Sequence, residues 1–291
     1  MTTTGDDDHP VVDPHPPLPL VRDAVARALA EDLLPLGDMT AGLLPADLHG
    51  SALFVSRAEG VVAGRRCAVE AFAQVDPSVV VEWWLDDGSE VVAGDVVARV
   101  AGPLTSILTA ERTALNFVRH LSGIASLTRR YVRATEGRAT VLDTRKTTPG
   151  LRVLEKAAVR AGGGTNHRGS LSDGVLVKDN HLGGLTIAEA VRRARRRWPG
   201  RLCEVECDSV DQVRQAVDAG ATMVLLDNMT PAKVRAAVKV VAGRVPVEVS
   251  GGVTLDNIGA FARIAGVDYI SVGAITHSAP ELDIGLDLEK A

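Results

Sequence analysis

The spacing of apolar residues changes along the chain and first predicts a helix, then short strands. From Leu20 apolar residues recur at every third or fourth position, which indicates one amphipathic helix. Four short apolar runs follow, separated by Gly, Asp and Pro, as is typical of strands in a small sheet. They lie at 52–55, 60–63, 79–84 and 96–100, with a further helix expected near 67–75. A proline-free run over 104–135 then predicts a helix or helix pair that joins two domains.

The second half of the chain alternates apolar strands with helical segments, which predicts a parallel sheet built from repeated strand–helix units. The six strands are expected at 139–142, 175–177, 202–205, 223–226, 245–249 and 269–272. Their number and close spacing favour an α/β barrel that is closed, or nearly closed, by a neighbouring segment. A doubly wound dinucleotide fold is the alternative, but no glycine fingerprint follows the first strand.

Polar residues mark the starts of three later helices. Ser209, Thr230 and Thr254 each stand just before a helical segment, and each can accept a hydrogen bond from the first turn. We therefore expect all three to act as N-caps.

Charged residues and glycines follow the apolar strands where each strand ends. The C-terminal ends of parallel barrel strands open on one face, and that face carries the active site. A single Lys or Asp after a strand is usually a solvated loop residue, but similar chemistry at several strand ends indicates a common site. The residues are Asp143, Thr144, Arg145, Lys146, Lys178, Glu206, Asp227, Asn228, Ser250, Gly251, Gly252 and Gly273.

These residue types suit a phosphorylated or carboxylated substrate. Arg binds carboxylate or phosphate through two parallel hydrogen bonds, and Lys adds a compact positive charge. Small residues at 250–252 and at Gly273 let backbone N–H groups approach a phosphate. A helix that begins at Thr254 would add a favourable dipole.

Two carboxylates among these cations predict a metal ion. Glu206 and Asp227 would repel a phosphate unless a divalent cation stood between them, and Mg²⁺ is the natural one because it binds few carboxylates together with substrate oxygens. Glu204 shares a strand face with Glu206, but Glu206 lies nearer the strand end and is the preferred ligand.

Three other features admit more than one interpretation. The segment 162–168 is either a flexible loop or part of the site, and its His167 is either a packed histidine or a catalytic one. The arginines of 192–197 are interpreted as a solvated helix face. Cys203 and Cys207 could form half of a metal site, but no second pair completes it, so we expect these two and Cys67 to be small buried residues.

Composition narrows the class of protein. The 291 residues are 46% hydrophobic but only 3% aromatic, which predicts an aliphatic core in one barrel and a smaller domain. A net charge of −5 argues against a nucleic-acid or membrane-surface role. The chain has neither a long apolar run nor a basic leader, so we expect a cytoplasmic protein. Residues 1–19 are acidic and rich in proline, so we expect them to form a disordered tail.

Taken together, these segments resemble quinolinate phosphoribosyltransferase, also called carboxylating nicotinate-nucleotide diphosphorylase. The likeness extends from about residue 20 to about residue 287 and is specific because the motifs occur together. The matching segments are 111–116 (ERTALN), 143–150 (DTRKTTPG), 166–168 (NHR), 178–181 (KDNH), 204–206 (EVE), 226–228 (LDN), 250–252 (SGG) and 271–273 (SVG).

The resemblance implies a fold and an assembly. It implies an α/β sandwich domain over 20–120, completed by 275–291, packed on an open α/β barrel over 121–274 that carries the active site. It also implies a homodimer in which Arg112 reaches into the neighbouring subunit's site.

The resemblance also implies roles for individual residues. Arg145, His167 and Arg168, with Arg112 of the other subunit, match positions that bind the carboxylates of quinolinate. Lys146, Lys178, Glu206, Asp227 and the turns at Ser250 and Ser271 match positions that bind phosphoribosyl pyrophosphate (PRPP) and Mg²⁺. The implied catalytic residues are Lys146, His167, Lys178, Glu206 and Asp227, with Glu206 and Asp227 as metal ligands. The full set of implied substrate-binding residues is Arg112, Thr144, Arg145, Lys146, His167, Arg168, Lys178, Glu206, Asp227, Ser250, Gly251, Gly252, Ser271, Val272 and Gly273.

The implied reaction joins quinolinate to PRPP and gives nicotinate mononucleotide, carbon dioxide and pyrophosphate, a step of de novo NAD biosynthesis. One alternative is a nicotinate-type transferase without decarboxylation, but its substrate has one carboxylate for three arginines and a histidine. The other is an inactive binding protein on the same fold, against which the retained Glu206 and Asp227 argue.

Overall fold

The computed structural model of the protein describes residues 15–290, and its first part is a small antiparallel sheet covered by helices. The elements of this part are α1 (Leu18–Leu33), β1 (His49–Ser56), β2 (Gly60–Val61), α2 (Arg65–Val75), β3 (Val80–Trp83), β4 (Glu90–Val91), β5 (Val96–Pro103) and α3 (Leu104–Ala134). The expected strands and helices all form. The run over 104–135 is one helix of 31 residues, α3, rather than a pair.

The helix α1 begins at Leu18, slightly before the predicted Leu20, because Pro17 precedes it and a second proline lies in its first turn, where a missing N–H has no cost. Residues 1–14 of the predicted disordered tail lie outside the described residues.

The second part of the chain contains the repeated strand–helix units. Its elements are β6 (Thr140–Leu142), α4 (Arg152–Ala161), β7 (Val175–Val177), α5 (Asp179–Leu182), α6 (Ile187–Arg197), β8 (Cys203–Cys207), α7 (Val210–Asp218), β9 (Met223–Asp227), α8 (Pro231–Val241), β10 (Val247–Ser250), α9 (Ile258–Ala262), β11 (Tyr269–Ser271), α10 (Ala274–His277) and β12 (Ile284–Leu288).

Six of these strands form one parallel sheet in the order β6-β11-β10-β9-β8-β7. The sheet is an open barrel, as predicted, because its strand ends surround a common cavity while β6 and β7 remain edge strands. A single parallel bridge joins Leu142 to Thr165, which places the segment after α4 beside the free edge of β6. This segment carries His167 and Arg168 to the barrel mouth.

The C-terminal strand β12 pairs with β1 and completes a four-stranded antiparallel sheet in the order β12-β1-β5-β3. On the way to β12 the chain passes closely over α3 at Gly123. A Cβ atom there would overlap the carbonyl oxygen of Pro280, so only glycine allows this crossing.

Two of the three predicted N-caps are confirmed. The hydroxyl of Ser209 accepts from the Gln212 N–H, and that of Thr230 accepts from the Lys233 N–H. The prediction for Thr254 is wrong, because α9 begins only at Ile258. The Thr254 N–H instead donates to the side chain of Asn257 at 2.8 Å, which fixes a turn ahead of this short helix.

Aliphatic side chains fill the core, and all three cysteines are buried within it, as expected. Burial raises the pKa of the Cys67 and Cys207 thiols to about 12. Within the described part of the chain, no group of potential metal ligands includes a cysteine. No helix in that same part is long and apolar enough to cross a bilayer.

Candidate active site

A cavity of about 330 Å³ opens at the C-terminal ends of the barrel strands. It brings together ten of the fifteen residues that the resemblance implies for substrate binding, from the loop after β6 to the end of β11. They are Thr144, Arg145, Lys146, His167, Arg168, Lys178, Glu206, Asp227, Ser250 and Ser271. The remaining lining residues are Asp143, Leu176, Leu225 and Glu248.

Five predicted residues do not line this cavity. Val272 is buried and its N–H donates to the Leu142 carbonyl oxygen at 2.9 Å. Gly273 lies against Lys146, whose Cδ would be 3.3 Å from an added Cβ. Gly251 packs on the Asn228 side chain, whereas a Cβ on Gly252 would meet no atom within 4 Å. Both of these glycines have positive φ, which favours glycine at this turn.

Arg112, the fifth of these residues, is exposed on α3 and does not reach the cavity of its own chain.

Two arginines on one wall of the cavity are prepared to bind an anion. The pKa of Arg168 is lowered, chiefly by burial and then by the positive charge of Arg145 nearby. Arg145 Nε is buried and has no hydrogen-bond partner among residues 15–290, and Arg168 donates to the Gly174 carbonyl oxygen at 3.2 Å. Like charges held together in a partly buried site favour a ligand that carries negative charge. A carboxylate placed between these guanidinium groups would satisfy both.

The opposite side of the mouth carries carboxylates from neighbouring strands. Glu206 at the end of β8 forms an ion pair with Lys178, and Asp227 at the end of β9 accepts from Asn228 Nδ2 at 2.7 Å. Two carboxylates on adjacent strand ends, open to the cavity, fit the oxygen ligands that Mg²⁺ prefers. Their small number leaves the other positions to substrate oxygens and water.

His167 and Glu248 line the floor of the cavity, and Glu204 lies against His167 without lining it; the sequence assigned no role to either glutamate. His167 Nε2 lies 3.0 Å from Glu204 Oε2 and 3.4 Å from Glu248 Oε2. The Ser271 hydroxyl donates to the other oxygen of Glu248. Burial raises the pKa of Glu248 well above its ordinary value, and the neighbouring Glu204 carboxylate raises it further.

A signal for this floor exists in the sequence. Each glutamate stands two positions before a polar strand end, Glu206 or Ser250, and therefore on the same strand face. Alternation shows that both glutamates point into the barrel, but it cannot show that they meet.

A second buried group anchors the loops from below. Lys156 on α4 is ion-paired with Asp143 and donates to the His167 carbonyl oxygen at 2.9 Å. Asp143 also accepts from Asn166 Nδ2 at 2.6 Å and from the His167 N–H at 2.9 Å. The network thereby fixes the backbone on which His167 and Arg168 stand.

Two more residues of α4 bind the loop that follows β6. Arg152 donates to the Thr147 hydroxyl at 3.0 Å and to the Gly169 carbonyl oxygen at 3.1 Å, so it joins the two loops. Glu155 is buried, accepts from the Thr148 N–H at 3.1 Å and lies 2.9 Å from His120 Nε2 on α3. One face of α4 thus holds the substrate-facing loops in place.

Comparison with known proteins identifies relatives over nearly the whole chain. Residues 38–122 match the family model for the quinolinate phosphoribosyl transferase N-terminal domain, and residues 124–287 match the one for its C-terminal domain. The chain is 42% identical over 275 residues to the nicotinate-nucleotide pyrophosphorylase [carboxylating] of Mycobacterium leprae, covering 92% of this chain and 96% of that protein. It is 38% identical over 299 residues to a quinolinate phosphoribosyltransferase [decarboxylating] of Nicotiana tabacum, covering 94% of this chain and 84% of that protein.

A solved structure shows the same fold. The nicotinate-nucleotide pyrophosphorylase of Francisella tularensis superposes with a TM-score of 0.90 at 39% identity, covering 95% of this chain and 99% of that one.

Proposed function

The chain belongs to the quinolinate phosphoribosyltransferase family, and on that premise we propose that it transfers the phosphoribosyl group of PRPP to quinolinate at the barrel mouth. The products are nicotinate mononucleotide, carbon dioxide and pyrophosphate, in de novo NAD biosynthesis. The observation that carries the proposal is the shared cavity. Its lining combines Arg145 and Arg168 with two lysines and two carboxylates, so it suits a diacid next to a phosphorylated sugar.

The quinolinate side of the cavity is formed by Arg145, Arg168 and His167. Each guanidinium can bind one carboxylate by two parallel hydrogen bonds. The network of Lys156 and Asp143 fixes the backbone at His167, so little ordering is needed on binding. Quinolinate has two carboxylates for this wall, whereas nicotinate has one.

The PRPP side is formed by Lys146, Lys178 and the two acidic strand ends. Lys178 is paired with Glu206 in this structure, and we propose that it exchanges this partner for a substrate phosphate when PRPP binds. Glu206 and Asp227 would hold Mg²⁺, which supplies positive charge to the departing pyrophosphate. The turn at Ser250 to Gly252 and the Gly273 N–H would support the phosphates, whereas the Val272 N–H is bound to the Leu142 carbonyl oxygen.

Positioning and electrostatics supply most of the catalysis. The arginines hold the pyridine nitrogen in line with the ribose carbon while the lysines stabilise the leaving oxygen. The bond from ribose to pyrophosphate breaks with its electrons on pyrophosphate, and the ring nitrogen forms the new bond. The positive ring nitrogen then stabilises the electron pair that departing carbon dioxide leaves on the adjacent ring carbon, and a proton from water completes nicotinate mononucleotide. No general base is required for these steps.

The active assembly is proposed to be a homodimer. Arg112 is exposed on α3 and does not line the cavity of its own chain, which supports its use in a neighbouring subunit's site. The neighbouring site would then bind quinolinate with three arginines.

Location in the cytoplasm also remains a prediction.

One assay tests the proposed reaction against its nicotinate-type alternative. The protein is incubated with Mg²⁺, PRPP and either pyridine acid, and carbon dioxide and mononucleotide are followed together. We expect equal amounts of both products from quinolinate and little of either from nicotinate. Arg263→Ala, which changes an exposed arginine beyond α9, serves as the control and should match the wild type. Mononucleotide formed from nicotinate at the higher rate would contradict the proposal.

A further inference from the structure

Two buried carboxyl groups, that of Glu248 in the cavity lining and that of Glu204 against His167, have no role in the reaction as described above. Glu204 on β8 is 0% exposed and Glu248 on β10 is 1% exposed. One oxygen of each, Glu204 Oε1 and Glu248 Oε2, is buried without a hydrogen-bond partner among the described residues. Buried polar atoms without partners destabilise a fold, so native structures satisfy nearly all of them.

Like charges crowd this floor. The potential ligand atoms of His167, Glu204 and Glu248 all lie within 4.8 Å of one another. Asp143, at the end of β6, adds a further negative charge, although Lys156 compensates it. Two carboxylates held this closely in a dry site cannot both be ionised at low cost, because burial and mutual repulsion both favour a proton on one of them.

The geometry indicates which carboxyl group carries the proton. Glu204 is the nearer of the two to His167 Nε2, at 3.0 Å against 3.4 Å, so Glu204 is the carboxyl group that holds the imidazole ring and Glu248 is the one left to donate. The pKa of Glu248 is raised, by burial first and by Glu204 second. Ser271 donates to one oxygen of Glu248, which suits the carbonyl oxygen of a neutral acid. Glu248 also forms a side-chain hydrogen bond with Glu204, which a proton on Glu248 would supply.

We propose that Glu248 is a positioning residue that stays a neutral acid and donates to Glu204, so that Glu204 holds the His167 ring where it binds a substrate carboxylate. The inference rests on the proposed function, which gives His167 a substrate to bind. It predicts that the amide of glutamine can replace Glu248, because that side chain also donates to Glu204 and accepts from Ser271. An ionised carboxylate or a metal ligand could not be replaced in this way.

Two variants at one position test the proposal. Glu248→Gln should keep the KM for quinolinate within about threefold of the wild type, because both hydrogen bonds remain. Glu248→Leu should raise that KM by about 10- to 100-fold, by analogy with the loss found when a residue that orients a metal-binding histidine is removed, and leave the KM for PRPP unchanged. Val249→Ala, a buried residue on the other face of β10, is the matched control and should lower the melting temperature without a selective KM effect.

Infrared difference spectroscopy gives a readout that needs no turnover. Wild type minus Glu248→Gln, at about pH 7, should show the carbonyl stretch of a neutral carboxylic acid. Absence of this band would overturn the proposal, as would a Glu248→Gln variant as impaired as Glu248→Leu. A divalent metal that copurifies with the wild type and is lost in Glu248→Gln would also overturn it. If this carbonyl band is present but the protein does not use quinolinate, the proposed function is wrong, while the conclusion that Glu248 is a neutral acid is retained.

Discussion

Replacing Lys156 with methionine tests whether the buried ion pair beneath the cavity holds the substrate-facing loops. The Lys156 and Asp143 side chains are 7% and 0% exposed, and Lys156 also donates to the His167 carbonyl oxygen at 2.9 Å. Methionine has a similar length but neither the charge nor the donor. The variant therefore leaves Asp143 buried without its cation and the loop without one of its anchors.

The expected loss of unfolding free energy depends on the hydrogen bonds that Asp143 retains in the variant. Breaking a buried ion pair by removing one partner costs about 3–5 kcal/mol, because the remaining charge stays buried. Asp143 retains the hydrogen bonds from Asn166 at 2.6 Å and from the His167 N–H at 2.9 Å. We therefore expect the lower end, about 3 kcal/mol at neutral pH, or a fall of about 5 °C in melting temperature for a chain of this size.

The loss should depend on pH with a defined sign. Burial raises the pKa of Asp143, and the positive charge of Lys156 partly offsets this, so removing Lys156 raises that pKa further. A group whose pKa is raised in the folded state stabilises the fold below its unfolded pKa, and this stabilisation is lost as pH rises through the folded value. The loss of unfolding free energy in Lys156→Met should therefore be small near pH 5, which is about one pH unit above the unfolded pKa of an aspartate. It should be largest near pH 8, which is well above that pKa.

Urea unfolding at these two pH values measures the effect. The double variant Lys156→Met with Asp143→Asn should recover most of the lost stability, since the uncompensated charge is gone. Arg244→Met, which breaks an exposed ion pair with Asp218, is the matched control and should change stability by less than about 1 kcal/mol at either pH. Equal stability of wild type and Lys156→Met at pH 8, or no recovery in the double variant, would refute the reasoning.

Three further predictions concern the cavity and the dimer. Arg145→Ala or Arg168→Ala should cost about 3–5 kcal/mol of transition-state stabilisation, which lowers kcat/KM for quinolinate by roughly two to three and a half decades. PRPP binding measured by calorimetry should change little. Asp227→Ala should raise the Mg²⁺ concentration needed for half-maximal rate and leave quinolinate binding without PRPP unaltered; an unchanged Mg²⁺ requirement would make Asp227 structural. Arg112→Ala mixed equally with Arg145→Ala, under conditions of proven subunit exchange, should recover about a quarter of wild-type activity, because half of the dimers then contain one intact site; no recovery would exclude a shared site.

Local patterns were sufficient to predict most of the fold. The strands of the second half lie within a few residues of their predicted positions, because a buried parallel strand must be apolar and a short strand ends where polar residues begin. The same rule placed Lys178, Glu206 and Asp227 at one mouth, since parallel strands end on one side.

The error at Thr254 shows where local patterns fail. A threonine before a helical segment can cap it only if its hydroxyl reaches the first-turn N–H groups. Here the Asn257 side chain takes the Thr254 N–H instead, and α9 begins beyond it. The Asn257 N–H, which a Thr254 N-cap would bind, donates to the Thr254 carbonyl oxygen at 3.2 Å, and the sequence does not show this turn.

The sequence by itself determined the order of helices and strands, the barrel and the face on which the chemistry lies, because these depend on periodicity and on where strands end. Only the tertiary structure decided which charges are buried and what compensates them. Glu204 and Glu206 share one strand face, yet Glu204 is fully buried beside His167 while Glu206 pairs with Lys178 at the mouth. The free energy of a charge depends on its distance from solvent and from other charges in three dimensions. That distance is set by strands far apart in sequence, so the buried carboxyl pair became visible only when β8 and β10 were placed around one cavity.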